Sequence, residues 1–153
     1  MSLRERIIDR SLGNDLRPFW RLYYRRERAK SRAWRLLLTY FVNRKAQRHG
    51  GYVGNGALIE AVPSLPHGLH GLYISRYARI GSGCRIYQHV TIGEVEGKAP
   101  NIGRNCLIGA GACLVGGISI GEGAKIGAGA VVAFDVPPGS TVVAQAPRVI
   151  VKG

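Results

Sequence analysis

Ile74, Ile80, Ile86 and Ile92 stand six residues apart, and after one interruption Ile102, Ile108, Leu114, Ile120, Ile126 and Val132 resume the same spacing. Four residues after most of these comes a second small or apolar residue: Ala78, Cys84, Val90, Cys106, Ala112, Ala124 and Ala130. Gly81, Gly103, Gly109, Gly121 and Gly127 directly follow their aliphatic residue. A helix repeats every 3.6 residues and a strand every two, so neither yields a strict six with a turn in each unit. A parallel β-helix does: each unit is a short strand plus a turn, three units close one triangular coil, and stacked coils line up aliphatic ladders inside. The expected fold class is therefore mainly β, a parallel β-helix of hexapeptide repeats behind an N-terminal helical segment.

The step from Ile92 to Ile102 is ten residues, one unit plus four. Residues 93–101 read as a loop thrown out at one corner, and such insertions on a rigid scaffold tend to carry function. The 22 glycines fall on the repeat, where turns need positive φ or close backbone approach, so they do not signal disorder. The chain divides into a basic amphipathic helical segment, residues 1–50, and a β-helix domain, residues 51–153.

Of the net charge of +13, the first fifty residues supply ten, with 14 Lys and Arg against 4 acids. Ser2 and Glu5 form a capping box for a short helix ending near Gly13. Asn14 or Asp15, with Pro18 in the first turn, starts a second helix running to Gly50. Leu16, Phe19, Trp20, Tyr23 and Tyr24, then Trp34, Leu37, Leu38 and Phe41, recur at helical spacing, so this stripe is expected to pack on the β-helix or on a neighbouring subunit. Arg residues cover the other faces, a pattern suited to peripheral contact with an anionic membrane; nucleic acid is not the expected partner. The longest apolar run, Leu36 to Val42, is far below the ~20 residues of a spanning helix. Cytoplasmic residence is expected, with contact at the inner membrane face. Cys84 and Cys106 occupy interior slots and Cys113 lies one residue past its slot, which leaves no expected disulfide.

Chemistry at neutral pH points to histidine. His49 ends the basic helix, where the macrodipole favours it. His67, His70 and His89 cluster where the repeat begins, and His89 follows His70 by nineteen residues, close to the eighteen of one coil. Clustered imidazoles also suit zinc, but no carboxylate or Cys stands at a ligand spacing, so no metal is expected.

Leu65-Pro66-His67-Gly68-Leu69-His70-Gly71, Ile86-Tyr87-Gln88-His89-Val90-Thr91-Ile92-Gly93, Ile108-Gly109-Ala110-Gly111-Ala112 and Val136-Pro137-Pro138-Gly139-Ser140-Thr141 resemble the hexapeptide acyltransferases of the serine acetyltransferase type, most of all the short members linked to capsular or exopolysaccharide O-acetylation. The resemblance covers roughly residues 52–150. It implies a left-handed coil, a homotrimer with sites between subunits, and acetyl-CoA as donor. His67 matches the family's general base. Glu60, the sole carboxylate between His49 and His67, stands in for the acid that orients it. Backbone at Gly109, Ala110, Gly111, Ala128 and Gly129 would meet the oxyanion and the pantetheine arm, and Arg148 and Lys152 the CoA phosphates.

Serine acetyltransferases carry Arg-His-Pro in the loop before the Ile102 equivalent, whereas this loop reads Gly97-Lys98-Ala99-Pro100-Asn101. The acceptor expected is accordingly a sugar hydroxyl of a surface polysaccharide or its precursor, held by His70, His89, Tyr73, Tyr87 and Gln88 in a cleft beside the loop. Serine O-acetyl transfer is the alternative within the fold. A non-catalytic trimeric β-helix scaffold and a zinc hydro-lyase of the γ-carbonic-anhydrase kind are the alternatives from a different functional class.

Overall fold

The structure, a computed structural model, describes residues 15–146. The helix expected over Ser2–Gly13, and Arg148 and Lys152, lie outside the described residues.

Among the described residues two helices come first, α1 (Arg17–Glu27) and α2 (Arg32–Arg48). The sequence reading made this one helix; the chain breaks at residues 28–31, where Ser31 turns to extended backbone and caps the Trp34 N–H. Ser competes for backbone bonds and favours such a start, and the Arg35 guanidinium holds the preceding Ala29 carbonyl at 3.0 Å. The result is a helical hairpin. Phe19, Trp20 and Tyr23 of α1 and Leu38, Val42 and Ala46 of α2 form its buried side. Tyr23 Oη donates to the Ala57 carbonyl at 2.8 Å, which seats the hairpin across the first coil. The stripe divides at α2: Leu38 is buried, but Trp34, Leu37 and Phe41, expected to pack, are exposed. Positions 34, 38, 42 and 46 follow one row at four-residue spacing, of which Trp34 in the first turn stays exposed, and 37 and 41 lie on the row turned away from the core.

Thirteen short strands follow among the described residues, all paired in parallel in three sheets. One has five strands: β1 (Tyr52–Val53), β3 (Tyr73–Ile74), β6 (Thr91–Gly93), β9 (Cys113–Val115) and β12 (Val131–Val132). A second holds β2 (Leu58–Ile59), β4 (Arg79–Ile80), β7 (Asn101–Ile102) and β10 (Ser119–Ile120). The third holds β5 (Arg85–Ile86), β8 (Leu107–Ile108), β11 (Lys125–Ile126) and β13 (Thr141–Val142). The chain visits the three in turn, so the molecule is a triangular β-solenoid of hexapeptide repeats.

The register places like on like: Ile74 on Ile92 on Leu114 on Val132, Ile80 on Ile102 on Ile120, Ile86 on Ile108 on Ile126. Ala78, Cys84, Val90, Cys106, Ala112, Ala124 and Ala130 fill the interior corners as expected and are buried. Each buried Ile contributes roughly 1.5–3 kcal/mol of apolar transfer. A hydrogen bond with Cys106, and burial, keep the Cys84 thiol protonated far above the usual range. The inserted loop is narrower than expected, since Gly93 belongs to β6 and Asn101 to β7. Val95 and Lys98 pair antiparallel across Glu96 (φ 50°) and Gly97 (φ 75°), a tight hairpin at the edge between the five-stranded sheet and the β2 sheet.

Candidate active site

The solenoid has three edges, and the site candidates fall mostly on one, where the chain passes from the β5 sheet to the five-stranded sheet. At each coil this edge turns through a residue in the left-handed region: Gly71 (φ 65°), His89 (φ 58°), Gly111 (φ 68°) and Gly129 (φ 68°). Each donates its N–H one coil back, Gly71 to Gly50 at 2.8 Å, His89 to His70 at 2.9 Å, Gly111 to Gln88 at 3.0 Å and Gly129 to Ala110 at 2.8 Å. His89 thus occupies a slot that glycine fills in the coils above and below. A non-glycine residue held at positive φ carries strain of order 1–3 kcal/mol and directs attention to function. A Cβ on Gly71 would collide with the His89 imidazole, so the ring lies against that glycine's backbone.

At the N-terminal end of the edge, the His67 and Tyr87 rings lie 6.0 Å apart between centroids. His70 Nδ1 is 2.6 Å from the His67 carbonyl oxygen, and a neutral His70 protonated there would donate to it. His67, His70 and His89 are all exposed. Gln88 Oε1 is buried without a hydrogen-bond partner among the described residues, an atom with unmet accepting capacity beside the histidines.

The lower part of the same edge is bare. Gly109-Ala110-Gly111 and Gly127-Ala128-Gly129 carry nothing larger than a methyl group, and the space where Gly111 and Gly129 would carry a Cβ is open. The Gly109 amide bonds Ile126 and the Gly111 and Gly129 amides bond the coil before, whereas the Ala110 and Ala128 amides take no part in these stacking bonds. A narrow chain could therefore lie against main chain here over two coils.

Two expected members stand elsewhere. Glu60 sits at the edge between the two four-stranded sheets, where its Oε2 accepts the Ser82 N–H at 3.1 Å, so it does not orient His67. Tyr73 stacks on Tyr52 at 5.1 Å on the five-stranded sheet, where burial first and the nearby Glu94 second raise its pKa. Glu94 in turn accepts the hydroxyl of the fully buried Ser75. The 94–98 hairpin is on the far side of that sheet from the histidines, so one chain does not build the expected cleft between them. The reason is geometric: the interruption follows β6, whereas the histidines precede β3 and β6. Sequence reasoning also passed over Arg85 and Lys125, exposed in the outward column of the sheet that adjoins the bare edge. Their shared position just before Ile86 and Ile126 was the available signal. No three His, Cys, Asp or Glu gather as a ligand set among the described residues.

Residues 99–133 match the family model described as bacterial transferase hexapeptide (six repeats). A serine acetyltransferase of Synechococcus elongatus is 43% identical over 105 residues, 66% of this chain and 40% of that protein. One of Helicobacter pylori is 38% identical over 107 residues, 67% of this chain and 58% of that protein. Among solved structures, the Neisseria gonorrhoeae serine acetyltransferase in complex with serine superposes with a TM-score of 0.73 at 33% identity, over 83% of this chain and 53% of that one. The chain spans about half the length of the curated relatives it matches. Over its repeats, then, the chain is a hexapeptide-repeat β-solenoid similar to the serine acetyltransferases.

Proposed function

We propose that this protein is an acetyl-CoA-dependent O-acetyltransferase with His67 as general base. The observation that carries the reading is the single edge on which exposed histidines sit directly above two coils of bare, small-residue backbone. His67 takes the proton of the acceptor hydroxyl, the oxygen attacks the thioester carbonyl carbon, and the C–S bond breaks to release CoA, which regains a proton as its thiol. No covalent enzyme intermediate is needed. A positioned base is worth typically about 10²–10⁴-fold for a hydroxyl that is protonated at neutral pH. The Ala110 and Ala128 amides, outside the stacking bonds, are proposed to meet the oxyanion and the pantetheine arm. Arg85 and Lys125 are proposed to face the CoA phosphates alongside Arg148 and Lys152.

Serine is the acceptor that the comparisons support, since the matched relatives and neighbours are serine acetyltransferases. The polysaccharide assignment drawn from the loop is accordingly the second reading. What favours it is the hairpin itself, which holds no histidine and is closed by its own Val95 and Lys98 bonds. Purified protein given acetyl-CoA with L-serine, and separately with an oligosaccharide of its host's surface polymer, decides between the two by the rate of CoA release. Turnover with serine at ordinary enzyme rates selects the first, and turnover confined to the oligosaccharide selects the second.

We further propose a homotrimer, in which a neighbour's hairpin completes the cleft that one chain leaves open.

A further inference from the structure

The outer face of α2 gathers five exposed large apolar side chains. Trp34, Leu37, Tyr40 and Phe41 are 45%, 46%, 56% and 48% exposed, and Leu36 is 64% exposed. Leu22, Tyr40 and Phe41 line a shallow groove of about 410 Å³ whose remaining walls are Arg44, Lys45 and Arg48. The Arg44 guanidinium lies over the Tyr40 ring at 5.9 Å, so cation and aromatic surface are one patch. Arg44, Lys45 and Arg48 form no ion pair among the described residues. From Arg28 to Ile59 the sequence has no Asp or Glu. Of the four acids before it, the two among the described residues are engaged, Asp15 by Arg17 and Glu27 by Arg26.

We propose that this face docks on an anionic lipid bilayer, with Trp34, Leu37, Tyr40 and Phe41 entering the interface and Arg44, Lys45 and Arg48 meeting the headgroups. Exposed aromatic and aliphatic side chains beside unpaired cations on one helix supply the two attractions that hold a protein at an anionic membrane surface, apolar insertion and headgroup charge. Charge decides the occupant. A two-fold contact with a second copy would set these cations against their own duplicates, whereas acidic headgroups neutralise them. No helix among the described residues is long and apolar enough to cross the membrane, so the contact is peripheral.

The placement reaches the candidate site. α2 ends at Arg48, and two residues later the Gly50 carbonyl accepts the Gly71 N–H at 2.8 Å, next to His70. Docking through the C-terminal half of α2 brings the histidine edge towards headgroup level. Docking itself does not depend on the catalytic reading.

The test is flotation of the full chain with phosphatidylcholine vesicles, with and without phosphatidylglycerol. Partition is expected with phosphatidylglycerol alone and should weaken in high salt as the headgroup field is screened. The triple variant Arg44→Glu/Lys45→Glu/Arg48→Glu should lose about a hundredfold in partition, and Leu37→Ser/Phe41→Ser should also release the protein. Apart from the half-buried Lys45, both variants change exposed side chains, and near-ultraviolet circular dichroism reports their folding. No partition into anionic vesicles, or equal partition of wild type and both folded variants, overturns the proposal. Self-association in sedimentation velocity that Leu37→Ser/Phe41→Ser abolishes, without vesicle binding, overturns it too and assigns the face to a second copy. Acetyl transfer to a soluble acceptor, measured without vesicles, separates this result from the fate of the catalytic proposal.

Discussion

His89 shows how one residue can run against its local structure and so disclose a role. It stands in a column of left-handed turns otherwise made by glycine, and its place there was readable from spacing, eighteen residues after Gly71 and eighteen plus the four of the insertion before Gly111. Replacing it with glycine removes the strain and the imidazole together. We expect His89→Gly to hold or raise stability by up to about 1 kcal/mol in urea titration while raising the KM for the acceptor. A variant that loses stability and keeps its KM would make His89 a packing residue. His67 was legible as a candidate from residue type, but the partner assigned to it was not. Glu60 is near His67 in sequence and on a different edge in space, because the chain crosses the β5 sheet at Ser64, which bridges Arg85, between the two, and Glu60 accepts the Ser82 N–H.

Among elements, the ladders were the most legible part, since every aliphatic residue of the six-residue series is buried. Ile108→Ala, in the middle of a ladder between Ile86 and Ile126, should cost about 2–5 kcal/mol by chemical denaturation. A loss under 1 kcal/mol would mean that the stack collapses onto the gap. The first coil was harder to read: Val53, Ile59 and Leu65 keep the spacing of six, but Ile74 then comes nine residues later, and Leu69 fills the interior without a counterpart in the repeat. The helical hairpin was legible only in part, because apolar periodicity marks a helix without saying which stripe meets the core. Its anchor gives a pH prediction. Burial, reinforced by Glu27, raises the Tyr23 phenol well above its ordinary value, so the folded state favours the neutral form. That contribution is fully present below pH ~10 and drains away as pH rises further. Tyr23→Phe should lose about 1–2 kcal/mol at neutral pH through the orphaned Ala57 carbonyl, yet its urea midpoint should fall less than that of the wild type between neutral and strongly alkaline pH. Parallel declines would show that Tyr23 does not carry the alkaline loss.

For the whole molecule, the edge that gathers histidines and bare backbone and the hairpin that lies across a sheet from them describe a site that a single chain does not close. Sedimentation equilibrium is expected to give three times the mass of the chain; a stable monomer at working concentration would leave the hairpin without a part in catalysis. The central claim, acetyl transfer with His67 as base, is tested most directly by CoA release from acetyl-CoA in wild type and His67→Ala, with CoA binding measured calorimetrically on the same samples. A base acts in the transition state and adds little to cofactor affinity. The account predicts acceptor-dependent CoA release that falls by about 10²-fold or more in His67→Ala, with CoA affinity unchanged. Full turnover by His67→Ala, or no CoA binding by the wild type, would contradict it.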